Sequence, residues 1–422
     1  MQIKKQKIKS VVKVAFFIAL KNIQRGSIAV KIVTVSILLL TFLNLTVVGG
    51  LLNGIVDDIS LKIKNSLFAD VVIQPSKEYS YIQNPGEVMD NLKNNPDIAG
   101  YSERLLSGVI LESRYKEVSG SEIPQRMGAS VAGITVAHEN QTTDISKKII
   151  AGRFLVDSDW NAIVLGSSLV DGYTKKTASG DTTLGHVLVG EKVRVRFSNG
   201  VVREFTVVGI LNTKSSVVDQ RAYVQYKELR QVLALPENKY SEIAIASSAT
   251  SASGYLSEYL RANDINKKND VKTLNEATPS GVSDVKVAFA MIGNIVAAIA
   301  VLVGLVTVFV IIFVNASSRR RYLGILKAQG IDPSALIFSY VLQALFYTII
   351  GISLGALVLF GFLQGYFDKH PLSLPMADGR LMLDASYLSV RVAVLMVSTL
   401  ISAFVPAWFI IRQNTLNAIL GR

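Results

Sequence analysis

The residues with most chemical content lie between 315 and 334, NASSRRRYLGILKAQGIDPS. Arg319, Arg320, Arg321 and Lys327 face a single acid, Asp332. Leu323, Leu326 and Gly330 recur at helical spacing, with Ile325 and Ala328 beside them. Such residues make and break no bonds. Their chemistry is docking, with cationic groups for a polar partner and aliphatic side chains to bury against it. Gly330 offers a C-cap and Pro333 can open a following helix, so a short helix is expected here. The same charges also suit a purely topogenic role, holding the loop on one side of a membrane.

Bond-making chemistry finds no residues elsewhere. No Gly-x-x-x-x-Gly-Lys-Ser/Thr occurs, so the chain has no phosphate-cradling loop of its own. His138, His186 and His370 lack metal-ligand spacing and read as surface or turn residues. There is no Gly-x-Ser-x-Gly elbow and no cysteine, which excludes disulfides and thiolate chemistry. Catalytic, cofactor and metal sites are therefore all expected to be absent.

The elements around the basic stretch are apolar. Residues 287–314 and 335–363 are long apolar runs, and about 20 such residues cross a bilayer core. Two more runs, 30–52 and 389–411, give four spans. The first run is too long for a signal-peptide core and no small-residue cleavage site follows it, so it is read as an anchor. The formal net charge of +12 follows the same division. Residues 1–31 hold eight basic residues and no acid, whereas 53–285 hold 26 basic and 28 acidic residues. The surplus sits in segments assigned to the cytoplasm, which is topology and not nucleic-acid binding. No acidic residue lies in the spans, so an ion-coupled pump is disfavoured, and Arg391 sits near a membrane end where it can snorkel.

The expected fold is an α+β membrane protein with four transmembrane helices. A large extracytoplasmic mixed α/β domain, 53–285, lies between the first and second. Residues 1–29 form a cytoplasmic amphipathic segment or extend the first span inward. A 286–314 helix, the 315–334 loop, a 335–363 helix, an outer loop over 364–388, a 389–411 helix and a 412–422 cytoplasmic tail complete the chain. Asn44 in the first span predicts an interhelical hydrogen bond. Gly351-xxx-Gly355 and Gly361-xxx-Gly365 permit close helix approach. In the outer domain, Asp70–Pro75 and Gly108–Glu112 read as strands, and 86–94, 226–235 and 254–263 as helices. Asn199-Gly200 between alternating runs predicts a type I′ hairpin.

RRRYLGILKAQG resembles the R-R-x-E-I-G-I-L-K-A-x-G signature of the MacB/FtsX/LolC-type ABC transporter permeases. Arg319, Arg320, Gly324, Ile325, Leu326, Lys327, Ala328 and Gly330 match; Tyr322 replaces the usual Glu and Leu323 the usual Ile. AGRFLVDSDWNAIVLGSSLV is similar to the MacB-type periplasmic motif through Gly152, Arg153, Phe154, Asp159, Val164, Leu165 and Gly166. The C-terminal SAFVPAWFIIRQNTLNAIL is similar to the family's ending through Pro406, Ala407, Arg412, Ala418 and Leu420, with Thr415 in place of proline.

The resemblance implies a permease with a MacB-like periplasmic core. Within it, 55–130 plus 225–283 would form a mixed α/β part and 131–224 a β-rich insert. It implies that Arg319, Arg320, Tyr322, Leu323, Gly324, Ile325, Leu326, Lys327, Ala328 and Gly330 form the ATPase-coupling helix. Leu323 and Leu326 would supply apolar burial, with charge from Arg320 and Lys327. ATP and Mg would reside in a separate ABC ATPase subunit, and a second permease copy or paralogue would complete the complex. Outer partners would be an adaptor, a lipoprotein chaperone or a hydrolase, in contact with membrane lipids and without nucleic acid. The expected location is the cytoplasmic (inner) membrane, multi-pass, with both termini in the cytoplasm. The function implied is mechanotransmission, driving export or release of a lipophilic or peptide cargo such as lipoproteins or antimicrobial compounds. The alternative is an FtsX-like regulator of a cell-wall hydrolase.

Overall fold

A computed structural model describes residues 2–115, 125–173, 183–248, 253–263, 265, 268–374 and 377–412, with side chains from residue 10 onward. The chain divides into two units: one of residues 1–55, 285–372 and 379–422, the other of 56–284 and 373–378.

Helix α1 (Gln2–Arg25) stops before Gly26 and Ser27, and α2 (Ile28–Ile63) starts afresh. The N-terminal segment is therefore a separate helix and no extension of α2. Its small residues Ala15 and Ala19 are buried, whereas Phe16 and Phe17 are exposed. Helix α2 runs well past the expected 30–52 span and ends in a π-helical turn, Lys64–Phe68.

The second unit follows from β1 (Val71–Pro75), α3 (Pro85–Lys93), β2 (Ile98–Ser113) and β3 (Gln125–Ile134). Next come α4 (Val136–Thr142), β4 (Ile149–Gly152), β5 (Ala162–Gly166), β6 (Lys192–Phe197) and β7 (Val202–Leu211). It closes with α5 (Ser216–Asp219), β8 (Arg221–Gln225), α6 (Tyr226–Val232), β9 (Glu242–Ser247), α7 (Ser253–Ala262), β10 (Asn269–Thr273) and α8 (Leu274–Ala277). The ten strands form one sheet in the order β10-β1-β9-β2-β3-β8-β5-β7-β4, with β6 paired to β2 and β7. Among the described residues, only β3–β8 and β5–β7 pair in parallel as strands.

Among the described residues, two apolar cores lie on this sheet. One gathers Val71, Ile73, Leu92, Ile243, Leu256 and Leu260. The other gathers Leu105, Leu111, Ile163, Leu165, Val195 and Phe205, together with Leu229 and Val232 of α6. The division expected at 130/131 thus cuts through a continuous sheet. The sixteen-residue β2 is long enough to serve both cores.

The β6–β7 hairpin exists, but its turn is not type I′. The Gly200 N–H donates to the Phe197 carbonyl at 3.0 Å, and Gly200 alone carries positive φ, at 83°. This is a type I turn followed by a left-handed glycine. Asn199 keeps negative φ because its side chain is engaged. Its Nδ2 donates to Val232 O at 2.8 Å and its Oδ1 accepts from Val201 N–H at 3.1 Å.

Asp219 at the end of α5 is 2% exposed and accepts from both the N–H and Oγ1 of Thr213 at 2.8 Å. Burial pushes its carboxyl up to about 6, and the Thr213 bonds offset that only in part. A carboxyl raised on folding contributes stability that is full below its unfolded value and lost as pH rises through the folded value. Asp219→Asn is expected to remove a loss on the order of 2–3 kcal/mol between about pH 4 and pH 6. Thermal unfolding of the two proteins across that range measures it.

The remaining helices are α9 (Ser280–Ser318), α10 (Arg320–Ala328), α11 (Pro333–Val358), α12 (Gln364–Lys369) and α13 (Ala385–Ile411). Helices α2, α9, α11 and α13 are long and apolar enough to cross a membrane. At 1.5 Å per residue, the 39 residues of α9 extend roughly 58 Å, well beyond a bilayer core of about 30 Å. Gly351 lets α2 approach α11 closely, since a Cβ there would lie 2.9 Å from Leu38 Cβ. At Gly355 it would lie 2.5 Å from Phe42 Cδ1. This glycine pair therefore seats a helix of the same chain, whereas Gly361 and Gly365 face open space. Asn44 does not make the expected interhelical bond, being exposed on α2 with no hydrogen bond among the described residues.

Candidate functional site

Helix α10 is a nine-residue turn of chain whose two ends are fixed separately. At its start the Arg319 guanidinium donates to Asn22 Oδ1 of α1 at 3.0 Å. At its end Gly330 takes φ of 89°, a conformation open to glycine and strained for a residue with Cβ. The Gly330 N–H donates to Lys327 O at 3.0 Å and the Ile331 N–H to Leu326 O at 3.2 Å, which is a Schellman cap. Asp332 then caps α11 by accepting from Ser334 N–H at 2.9 Å, with Pro333 in the first turn.

The inner face of α10 is committed to its own bundle. Leu323 is 4% exposed within a cluster that includes Ile312, Leu336, Tyr340, Ala407 and Ile410, and Leu326 and Ile331 pack against it. Gly324 is buried as well. The Lys327 ammonium donates to Ile411 O at 3.0 Å, at the C-terminus of α13, where the helix dipole favours a cation. Leu323, Leu326 and Lys327 are therefore not the free docking groups expected from the sequence.

Rotation by about 100° per residue turns the neighbouring positions outward. Tyr322 is 54% and Ile325 43% exposed, and Arg321, Ala328 and Gly330 are exposed with them. Arg320 is half-buried and engaged in a polar interaction. The stretch thus presents a small apolar face of Tyr322 and Ile325 flanked by arginine, on a helix that is held at both ends. Helical periodicity alone carried the signal, because one face had to bury Leu323 and the sequence did not say against what.

The Gly152–Gly166 motif in the other unit builds backbone. Gly152 takes φ of 72°, and a Cβ there would lie 2.3 Å from Val208 O. Arg153 grips Asp159 through both Nη atoms at 2.7 and 2.8 Å, holding that carboxyl below its usual range, and Asp159 also accepts from Val156 N–H. A Cβ at Gly166 would collide with Asp219 O.

Two features of this unit escaped the sequence reading. One is a groove of about 830 Å³ over Gly108, Ile110 and Gly128, walled by Arg196, Val217 and Pro279. The other is a buried ionic cluster. Arg104 donates to Glu139 from Nε at 2.8 Å and Nη2 at 2.6 Å, and to Glu242 from Nη1 at 3.2 Å. Its Nη1 also donates to Leu67 O in the π turn at 2.5 Å. His138, by contrast, meets the Tyr101 ring at a tilt of 55° and bonds Glu103 at 2.8 Å.

Residues 32–263 match the family model of the MacB-like periplasmic core domain, and residues 294–415 that of the FtsX-like permease C-terminal region. The chain belongs to this permease family. The permease therefore is a transmembrane component of an ABC transporter, a family in which ATPase activity lies in a separate subunit. Helix α10 falls inside the second match.

Among solved structures, the periplasmic region of MacB from Actinobacillus actinomycetemcomitans is 16% identical with a TM-score of 0.34. That likeness covers 50% of the permease and 92% of the other chain. The extracellular domain of the noncanonic ABC-type transporter YknZ from Gram-positive bacteria is 14% identical with a TM-score of 0.32. It covers 48% of the permease and 98% of that domain. No curated protein matches the chain.

Proposed function

We propose that α10 is the surface through which a separate ABC ATPase drives this permease. The observation that carries the proposal is the two-sided construction of α10. Its Leu323 face and Lys327 tie it into the bundle, while Tyr322 and Ile325 stay exposed beside arginine. A helix built this way can receive a push on one face and pass it to α11 and α13 on the other. Two permease chains, identical or paralogous, would accept two ATPase subunits. The work is delivered to the unit holding the ten-stranded sheet, and the cargo class is a lipophilic or peptide molecule. ATP and Mg belong to the partner.

This function places α10 and the first residues of the chain in the cytoplasm and residues 56–284 outside. The chain has no cysteine, so each introduced cysteine is a unique probe. In intact cells, an impermeant maleimide is expected to label Asn199→Cys and Asp270→Cys but not Ser318→Cys, which should react only after permeabilisation. Labelling of Ser318→Cys from outside would invert the topology and remove α10 from any ATPase. Asn414, a further position for such a probe, lies outside the described residues.

A further inference from the structure

Within the unit of residues 56–284 and 373–378, three distant segments bring four charged side chains into one cluster, with two lysines at the Asp378 carboxylate. Asp378 Oδ1 accepts from the Lys214 ammonium at 2.6 Å and Oδ2 from the Lys62 ammonium at 3.0 Å. Lys62 also pairs with Asp58 at 2.5 Å, one turn back on α2, and Asp58 Oδ2 accepts from the Asp378 N–H at 2.6 Å. Lys214 reaches Ser373 Oγ as well, at 3.1 Å. Two lysines and two aspartates leave no net charge. The side chains of Asp58, Lys62 and Asp378 are 17–23% exposed, so solvent screens them less than ordinary surface pairs.

The turn that supplies Lys214 is built to present it. Lys214 takes φ of 60°, a left-handed conformation that a residue with Cβ adopts only when held there. It is held on both sides. The Lys214 N–H donates to Asn212 Oδ1 at 2.9 Å, and buried Asp219 takes the N–H and hydroxyl of Thr213. Resemblance to the family points to none of these four charges. Chain order shows what they join: Asp58 and Lys62 end the helix α2, Lys214 follows β7, and Asp378 lies between α12 and α13.

We propose that Asp378 is a positioning residue for coupling, clasped by Lys62 and Lys214 so that it moves as one piece with the sheet-bearing unit. A displacement of α11 or α13 is then delivered to that unit through the clasp, in parallel with α2 and α9. The coupling role rests on the transporter reading above; the clasp itself does not.

The test uses the full chain in detergent with Ala377→Cys as probe, because Ala377 is 1% exposed. With Lys62→Met and Lys214→Met together, maleimide labelling of that cysteine is expected to accelerate at least tenfold, while Lys214→Arg leaves it slow. Unchanged protection in the double variant would overturn the clasp. In a second arm, a spin label at Tyr255→Cys, exposed on α7, reports ATP-dependent change with the ATPase bound. The double variant is expected to keep ATP hydrolysis within twofold and lose that spectral change. A retained spectral change would show that the clasp holds Asp378 but transmits nothing. Should no ABC ATPase associate even with the parent chain, the transporter reading and with it the coupling role fall, and the labelling arm still decides the clasp.

Discussion

Ile325→Glu is expected to abolish co-purification with the cognate ATPase and its stimulation, while the permease itself inserts and folds as before. Ile325 is 43% exposed on α10 and makes no part of the bundle core, so a carboxylate there stays solvated in the free chain. Against a docked partner the same carboxylate would be desolvated without a matching cation, at a cost of several kcal/mol. That corresponds to at least a hundredfold loss of affinity, since about 1.4 kcal/mol is a factor of ten. Tyr322→Ala removes apolar area only and should cost about tenfold or less. Leu323→Glu is the contrasting control. Its side chain is 4% exposed among Leu336, Tyr340 and Ala407, so it should damage the bundle and lower the yield of folded permease. Binding and ATPase assays in nanodiscs, alongside gel-filtration of the free chain, separate the two effects. Normal stimulation by Ile325→Glu would take the exposed face of α10 out of the coupling role.

Arg104→Met is expected to destabilise the sheet-bearing unit by about 3–5 kcal/mol, because it leaves the buried Glu139 carboxylate without its cation. Arg104, Glu139 and Glu242 are each at most 1% exposed. Glu139 would keep only the hydroxyls of Ser102 and Thr143, at 2.6 and 2.5 Å. Glu242 would keep Arg221 at 3.0 Å. The double variant Arg104→Met with Glu139→Leu removes the stranded charge and should recover most of the loss, as apolar replacements of buried pairs often do. Denaturant unfolding followed by circular dichroism on residues 55–283, expected to fold alone, gives both values. Opposing arginines hold Glu139 and Glu242 below their ordinary value of 4.5, although burial alone would raise them. Their contribution is therefore full above that value and lost as pH falls through the lower folded values. Arg104→Met should flatten this acid limb. An unchanged limb together with unchanged stability would show that the cluster contributes nothing net.

Much of this molecule is written along the chain. Four apolar runs long enough for a bilayer, and a charge-balanced segment of alternating and turn-forming residues between the first and second, set the architecture with no tertiary information. The reason is that hydropathy and charge act locally: a run of twenty apolar residues partitions by its own composition. The RRRYLGILKAQG stretch likewise pointed to the family that the matches over 32–263 and 294–415 show. Its short helix was legible because Gly330 and Pro333 act on neighbouring backbone only.

Partnerships between distant residues were decided by the tertiary structure. Periodicity put Leu323 and Leu326 on one face of α10, but only the packed bundle shows that this face is used up internally, leaving Tyr322 and Ile325 outside. The Asn-Gly pair announced a hairpin, yet the hydrogen bond from Asn199 to Val232 O selected a different turn. Gly351 and Gly355 promised close packing without saying that the partner would be Leu38 and Phe42 of the same chain. Arg104, Glu139 and Glu242, like Lys62, Lys214 and Asp378, are single charged residues 35 to 316 positions apart with no motif around them. Ion pairing is set by distance in space, and spacing along the chain holds no record of it until the sheet and helices bring those groups together.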